Sequence, residues 1–408
     1  MANALLTPTI IAREALRVLK NNLVFARTVH RDYSKEYKKV GSSVEIRRPI
    51  NFTVTDGVTV SVQDVEEGKL TMTLDKHKHV AFGFSAVDLT LTIDQYSERY
   101  IKPAMIAIAN QIDSDGLALA KSVHNWVGTP GQTVNSFDDF AKGPERLDNL
   151  SVPGDRRYAM LSPNDHWGLI GSQTALNDGK LIEDAYVRAK LPMLGNVQPL
   201  MGQNVYTLAC GTRDNTTPLV KGASQASTYA DVKTTMTQTL NTDGWDNSAT
   251  LEDGMVFTIA DVYAVNPVTG AALDFLAQWT VVGATTAHAS GGTTALTISP
   301  AIITSGPYKT ASAVPADGAA ITVVGTASNN YRQNLVYHSN AFALATAPIV
   351  QLESFAWRGA ETDPDTGLTI TMHKSGDFVN LREDIRMDVL YGWKCIDPRL
   401  ATRLSGTA

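Results

Sequence analysis

Three titratable side chains early in the chain have a spacing that could bind a metal ion. Asp75, His77 and His79 alternate along a predicted strand, so that their side chains share one face. Carboxylate and imidazole groups are common zinc ligands, but a zinc site takes three or four ligands and no fourth lies nearby. Lys76 and Lys78 occupy the other face. The pattern favours an exposed polar strand, and we predict no metal ion and no cofactor.

A serine, an aspartate and a histidine also lie close together, at Ser162, Asp165 and His166. The members of a Ser-His-Asp triad come from distant parts of a fold, so neighbouring residues do not make one. Asp165 follows Pro163 and is typical of the first turn of a helix. We therefore predict a helix start here and no catalytic residue.

Residues 363–367 (Asp-Pro-Asp-Thr-Gly) resemble half of a calcium-binding loop. A complete loop of that kind ends in a bidentate glutamate, but the next glutamate is Glu383. A hairpin turn is the better interpretation, because Pro, Asp and Gly favour turns. The chain also lacks the phosphate-loop, dinucleotide-binding, HExxH, CxxC and GxSxG motifs. Together these observations indicate a protein that is not an enzyme.

The composition is that of a globular protein. The chain has 408 residues, of which 43% are hydrophobic and 19% charged, enough for two or three domains. Cys210 and Cys395 cannot form a disulfide scaffold, which favours a reducing compartment. No apolar run approaches the ~18 residues of a membrane span, and the N-terminus does not resemble a signal peptide. We expect a soluble protein without a membrane partner.

Charge is distributed unevenly along the chain. The net charge is -6, but residues 1–50 carry +6 and the remainder -12. Such a basic segment is typical of an interaction arm. Docking onto acidic protein is favoured over nucleic acid or a solvated tail, because aromatic residues that could stack on bases are sparse there. The candidate docking residues are Arg13, Arg17, Lys20, Arg27, Arg31, Lys35, Lys38 and Lys39.

Two elements near the N-terminus are predicted from periodicity. Thr7-Pro8 opens a helix to about Phe25, with Leu16, Leu19 and Leu23 on one face. Residues 44–84 then alternate as strands around a turn signal at Asp56-Gly57. Because this hairpin is long and has few large apolar side chains, it needs a partner surface.

Charged residues mark both strands of this hairpin. Counting back from Asp56-Gly57 places Arg47 opposite Glu66, with Arg48 and Glu67 flanking that pair. These six residues are our candidates for a subunit interface. The alternative is that they are solvated loop charges, which contribute little.

After the hairpin of residues 44–84, the pattern of apolar and polar residues changes three times. Helical spacing from a capping box at Thr92 to about residue 126 predicts a long helix, bent by Pro103. Residues 150–230 alternate strand and helix signals. From residue 231 to 332, short strands separated by Gly turns are typical of a small antiparallel barrel. The strand and helix signals seen in residues 150–230 resume at Leu335. We therefore predict that the barrel is an insertion.

The order of these elements resembles the tailed-bacteriophage major capsid proteins of the HK-97-type fold, and more narrowly the short-tailed-phage coat family with an inserted barrel. The segments that carry the resemblance are 158–165 (Tyr-Ala-Met-Leu-Ser-Pro-Asn-Asp), 182–186 (Ile-Glu-Asp-Ala-Tyr) leading to Leu191-Pro192, and 390–392 (Leu-Tyr-Gly) through Pro398 to 404–408 (Leu-Ser-Gly-Thr-Ala).

The resemblance implies an α+β capsid fold with an N-terminal arm (1–43), an extended loop (44–84), a peripheral domain (85–149) with its spine helix at 92–126, an axial domain (150–230 and 333–385), the inserted β-barrel domain (231–332), and a C-terminal strand and tail (386–408). It implies hexamers and pentamers of the chain in an icosahedral shell around double-stranded DNA, without sequence-specific binding. A scaffolding protein, a portal protein and a decoration protein are the implied partners, and the virion, assembled in the host cytoplasm, is the implied location.

Two other functions stay open. An encapsulin-like compartment shell would share the fold, but such shells usually lack an inserted barrel. An enzyme with an accessory β-domain would need a convergent polar pocket, which a sequence does not reveal.

Overall fold

A computed structural model describes residues 8–32, 43–52, 54, 62, 65–85, 100–173, 191–213, 217–350, 357–363, 367–377 and 382–407. The fold is mixed α+β, as predicted. The chain divides into a first compact unit (Met1–Glu45, Thr71–Leu117 and Phe342–Lys394) and a second (Ile46–Leu70, Ala118–Ala341 and Cys395–Ala408). Neither unit coincides with one predicted domain, and those boundaries stay a prediction. Among the described helices, none has the length and hydropathy to cross a bilayer.

The α-helices of the described residues are α1 (Pro8–Asn22), α2 (Lys102–Leu117), α3 (Phe137–Asn149), α4 (Pro163–Gln173) and α5 (Tyr229–Val232). The strands are β1 (Ser43–Arg47), β2 (Lys69–Thr73), β3 (Lys76–Ser85), β4 (Trp126–Val127), β5 (Arg157–Leu161), β6 (Val197–Met201), β7 (Thr207–Ala209), β8 (Leu219–Val220), β9 (Gln238–Asp243), β10 (Thr250–Leu251), β11 (Val256–Val265), β12 (Ala272–Val281), β13 (Thr285–Thr286), β14 (Thr294–Ser299), β15 (Ile321–Val323), β16 (Asn330–Arg332), β17 (Asn334–His338), β18 (Phe342–Ala347), β19 (Trp357–Thr362), β20 (Thr369–Asp377), β21 (Arg382–Cys395) and β22 (Ala401–Leu404).

Helix α1 begins at Pro8, as predicted, and packs on α2 and β19. Leu16, Leu19 and Leu23 are all buried, which confirms the predicted apolar face. After the helix, the carboxylate of Asp113 in α2 accepts the backbone N–H groups of residues 24–26, at 2.7, 3.3 and 3.0 Å. The described part of the predicted arm, residues 8–32, is therefore folded into the first unit, because its leucine face is buried there.

A five-stranded sheet completes the first unit. Its order is β18-β21-β20-β19, with β3 pairing with β21. Strands β19 and β20 pair antiparallel on either side of the turn predicted at 363–367, and residues 364–366 of that turn lie outside the described chain. Strand β3 lies within the range 44–84 that was assigned to the extended loop, and Lys76–Ser85 pairs antiparallel with β21. Alternating residues fit a sheet strand as well as a hairpin strand, so the pattern did not separate the two.

The predicted spine helix is shorter at its C-terminal end than expected. Helix α2 ends at Leu117 and continues as a 3-10 turn over Ala118–Ser122, instead of running to residue 126. Residues 92–99, where this helix was predicted to begin, lie outside the described chain. Gly116 lies in the last turn, where an added Cβ would come within 2.6 Å of the Trp393 ring. This close packing therefore requires glycine, a poor helix former, at the C-terminal end of α2.

The second unit contains a mixed five-stranded sheet of order β4-β22-β17-β5-β6, in which β22/β4 and β5/β6 are parallel pairs. Strand β5 and helix α4 confirm the predicted strand and helix start at 158–165. The segment 182–186, which carried part of the resemblance, lies outside the described chain. Strand β22 was not predicted, because residues 401–404 were assigned to a tail. It lies between β17 and β4.

Arg403 explains why this strand was missed. Its side chain is fully buried, at 0% exposure, in a strand of only four residues. The guanidinium donates to the carbonyl oxygens of Gly254 and Lys121, at 2.8 and 3.0 Å, and to Gln333 Oε1 at 3.1 Å. Burial lowers the pKa of Arg403 to about 9. Arginine normally indicates a solvent-exposed position, and here it lies in the core.

The second unit also holds a six-stranded antiparallel sheet of order β15-β11-β12-β14-β9-β8. Strands β11, β12, β14 and β15 lie within residues 231–332, where short strands separated by turns were predicted. Strand β8 lies upstream of the predicted boundary at 231. A bridge between Leu219 and Ala320 joins the two edges of the sheet. The interior contains large apolar side chains, among them Phe257 and Trp279.

Candidate subunit interface

The candidate interface begins at the base of the predicted extended loop. Strands β1 and β2 pair, and in each strand exposed and buried residues alternate. The backbone N–H of Arg48 donates to the carbonyl of Gly68 at 2.8 Å and continues this pairing beyond the strands. We call residues 48–51 and 66–68 the loop base. Asp56 and Gly57, the predicted turn, lie outside the described residues.

The charged candidates pair differently from the prediction. Arg47 lies 3.2 Å from Glu67 and not opposite Glu66, and its side chain is 81% exposed. Glu66 instead lies 3.6 Å from Lys233. The prediction assumed an unbroken ladder from Asp56-Gly57, and any irregularity along a ladder shifts every later partner.

Arg48 differs from its neighbour in burial. Its guanidinium donates to the carbonyl of Thr234 at 3.4 Å. Burial lowers the pKa of Arg48, whereas the nearby carboxylate of Asp397 acts in the opposite direction. Of the two arginines, Arg47 is therefore exposed to solvent, whereas Arg48 packs within the second unit.

Apolar side chains between the two ends of the loop base are exposed. The exposed fractions are 64% for Phe52, 95% for Val54, 88% for Val62 and 56% for Val65. Single exposed apolar residues are ordinary, but several within one short segment are typical of an interaction surface. We call these four residues the apolar segment. None of these four residues was among the predicted interface candidates, and the signal for them in the sequence is the run of valines within residues 44–84.

The basic candidates of the predicted arm make contacts within the first unit. Arg13 lies 3.2 Å from Glu361, Arg17 lies 2.9 Å from Glu14, and Lys20 lies 3.0 Å from Asp363. Arg27 is exposed and Arg31 is half-buried. Lys35, Lys38 and Lys39 lie outside the described chain. Docking of this arm on a neighbour stays a prediction.

Asp388 lies beside His77, one of the two histidines that were considered as metal ligands. His77 Nε2 lies 2.7 Å from its carboxylate, and Arg386 lies 2.8 Å from it. His373 Nδ1 lies 3.9 Å away. Within the described ranges, no group of three or more His, Cys, Asp or Glu side chains has a geometry suited to a metal ion. The arrangement is a salt-bridged sheet face.

Asp165 has the structural role that was predicted. Its backbone N–H donates to Ser162 Oγ at 3.3 Å, where α4 starts. Its carboxylate accepts from Val134 N at 2.8 Å and from Asn334 Nδ2 at 2.9 Å, and also accepts from the Ser162 hydroxyl. Asp165 therefore ties α4 to β17 and to the segment before α3.

Comparisons with known proteins identify the family. A family model described as "P22 coat protein - gene protein 5" matches residues 1–406. The "Major capsid protein" of Acyrthosiphon pisum secondary endosymbiont phage 1 is 23% identical over 421 residues, covering 97% of both chains. Among solved structures, one from Mycobacterium phage Che8 is 13% identical with a TM-score of 0.49, covering 93% of this chain and 90% of that one. The bacteriophage PhiM1 mature capsid is 11% identical with a TM-score of 0.43, covering 94% and 86%. The match along nearly the whole sequence confirms the predicted resemblance, and the chain belongs to the P22 coat protein family.

Proposed function

We propose that many copies of this phage coat protein close into an icosahedral shell of hexamers and pentamers around double-stranded DNA. The observation that carries the proposal is the apolar segment, whose four side chains are more than half exposed in the single chain. Burying one such side chain contributes about 1.5–3 kcal/mol. The occupant of this surface is a second copy of the chain, since a coat protein is the class of protein that self-associates.

The exposed pair Arg47–Glu67 fits the rim of such a contact. An exposed ion pair adds at most about 1 kcal/mol to the stability of one subunit. Its charges can steer two copies into register and exclude wrong partners. Weak contacts of this kind, repeated over many subunits, favour closure without fixing any one pair of subunits irreversibly.

We also propose that the architecture is the HK-97-type fold with an inserted barrel. The six-stranded sheet supports the insertion, because the Leu219–Ala320 bridge joins its edges. Strand β8 supports a start of the insertion at about residue 217, ahead of the boundary predicted at 231. An encapsulin-like shell is less well supported, since such shells usually lack this domain.

The proposed relation to DNA follows from charge. Outside residues 1–50 the chain carries -12, so most of its surface does not attract phosphates. Weak attraction suits a shell that packs DNA and later releases it. Scaffolding, portal and decoration proteins, and assembly in the host cytoplasm, belong to the same proposal.

Sedimentation and negative-stain microscopy of the purified full chain test this function. We expect large closed particles or sheets as the protein concentration rises. Val54→Asp combined with Val62→Asp should keep the melting temperature of the subunit but prevent assembly. Val268→Asp is the matched control, because Val268 is 78% exposed and lies outside the apolar segment. A wild-type chain that stays a monomer or dimer would contradict the proposed shell. Normal particles from the double variant would contradict the proposed contact through the apolar segment.

A further inference from the structure

One tyrosine hydroxyl reaches both strands of the loop base. The backbone N–H of Asn51 donates to Tyr308 Oη at 3.2 Å. The same hydroxyl donates to the carbonyl oxygen of Glu66 at 3.5 Å. Asn51 and Glu66 flank the apolar segment on its two sides, so a single group restrains the chain where it leaves the loop base and where it returns.

Three further contacts hold the loop base against residues 229–236. Lys233 lies 3.6 Å from Glu66, and Arg48 donates to the Thr234 carbonyl at 3.4 Å. Gly68 approaches so closely that a Cβ would overlap the carbonyl oxygen of Lys233. The loop base therefore rests on this helix and the turn after it, with no room for a side chain at residue 68.

The Tyr308 ring is itself held in place. It stacks on Tyr229 with centroids 3.6 Å apart and an interplanar angle of 6°. The pKa of Tyr229 is raised by burial and then by Tyr308, in keeping with a packed pair of rings. We call Tyr229, Lys233, Thr234 and Tyr308 the clamp. All four come from residues between α5 and β15, the region of the proposed insertion.

We infer that the clamp is a positioning device through which the proposed insertion fixes the direction of the extended loop, with Tyr308 as the positioning residue. The inference rests on the proposed function, because the loop direction matters only if a second copy receives it. A segment restrained in its bound direction loses less conformational freedom when it docks. The clamp therefore lowers the protein concentration at which subunits assemble, without adding a contact between subunits.

Tyr308→Phe tests this directly, since it keeps the stack on Tyr229 and removes the hydroxyl. In the soluble full chain, the Asn51 amide should exchange with deuterium about fivefold faster, because it loses its acceptor. The Arg48 amide, bonded to Gly68, should not change. The threshold concentration for assembly should rise by about fivefold, while the melting temperature should stay within about 2 °C of wild type.

Tyr263→Phe is the matched control, since Tyr263 lies in β11 and is 40% exposed. It should leave the exchange and the threshold at wild-type values. Unchanged exchange at Asn51 in Tyr308→Phe would overturn the inference. The inference would also fail if amide exchange in Tyr308→Phe rose equally throughout the six-stranded sheet. Tyr308 would then stabilise the fold as a whole and not the loop. If wild type itself does not assemble, the proposed function fails, whereas the Asn51 exchange still reports on the clamp.

Discussion

Two arginines of the second unit, Arg403 in β22 and Arg47 at the end of β1, occupy opposite environments. Arg403 is fully buried and bonded to three carbonyl oxygens. Arg47 is 81% exposed and has one carboxylate at 3.2 Å. Burial makes the first interaction costly to break, whereas water screens the second. The comparison indicates that charge in the mixed sheet stabilises the fold, and charge near the loop base is available to a second subunit.

The largest expected effect comes from Arg403→Met. The change leaves the carbonyls of Gly254, Lys121 and Gln333 without their donor in a dry site. We expect a loss of about 3–5 kcal/mol in the free energy of unfolding, measured by denaturant unfolding of the soluble chain. Arg332→Met is the control, since Arg332 is exposed in β16, and it should shift stability by less than about 0.5 kcal/mol. Equal effects of the two substitutions would contradict the comparison.

Acid should lower the free energy of unfolding through His124. This side chain is buried, and burial lowers its pKa from 6.5 to about 4. Between these values the unfolded chain binds more protons than the folded chain, so stability falls as the pH drops from 6.5 to 4. The loss is at most about 3 kcal/mol.

His124→Gln should flatten this pH dependence, and His288→Gln, at an exposed position, should leave it as it is. The measurement is the unfolding midpoint at a series of pH values. A His124→Gln chain that follows the wild-type curve would show that another group titrates.

The edge strand β8 provides an intermediate effect. Fragments 217–332 and 231–332 differ in whether they contain Leu219 and Val220, which pair with β9. Thermal melting of both fragments measures the difference. We expect the longer fragment to unfold cooperatively, with a free energy of unfolding that is higher by about 2 kcal/mol. An equally stable short fragment would place the start of the insertion at 231, as first predicted.

The smallest effect on stability is expected at the loop base. Arg47→Glu should change the free energy of unfolding by less than about 1 kcal/mol, yet deform or block assembly products seen by microscopy. Arg48→Glu should lower the melting temperature, since its half-buried side chain packs on Thr234. Normal shells from Arg47→Glu would mean that its charge is merely solvated.

Periodicity in the sequence predicted the elements whose side chains alternate or repeat regularly. Leu16, Leu19 and Leu23 marked the buried face of α1, and short strand signals between Gly turns marked β11 and β14. Strand β22 was missed because four residues give no period and Arg403 suggested solvent. The pairing of Arg47 was wrong because register depends on every residue between two strands. The clamp was invisible, since Tyr308 meets Asn51 only through the fold.

The position of β22 also has a consequence for synthesis. Its neighbours β4 and β17 are translated earlier, but the sheet lacks the strand between them until residues 401–404 leave the ribosome. Arg403 likewise supplies donors for carbonyls made some 70 to 282 residues before it. A nascent chain therefore carries an incomplete mixed sheet until residues 401–404 have been made. The core around Arg403 closes only then, whatever the order in which the other strands pair.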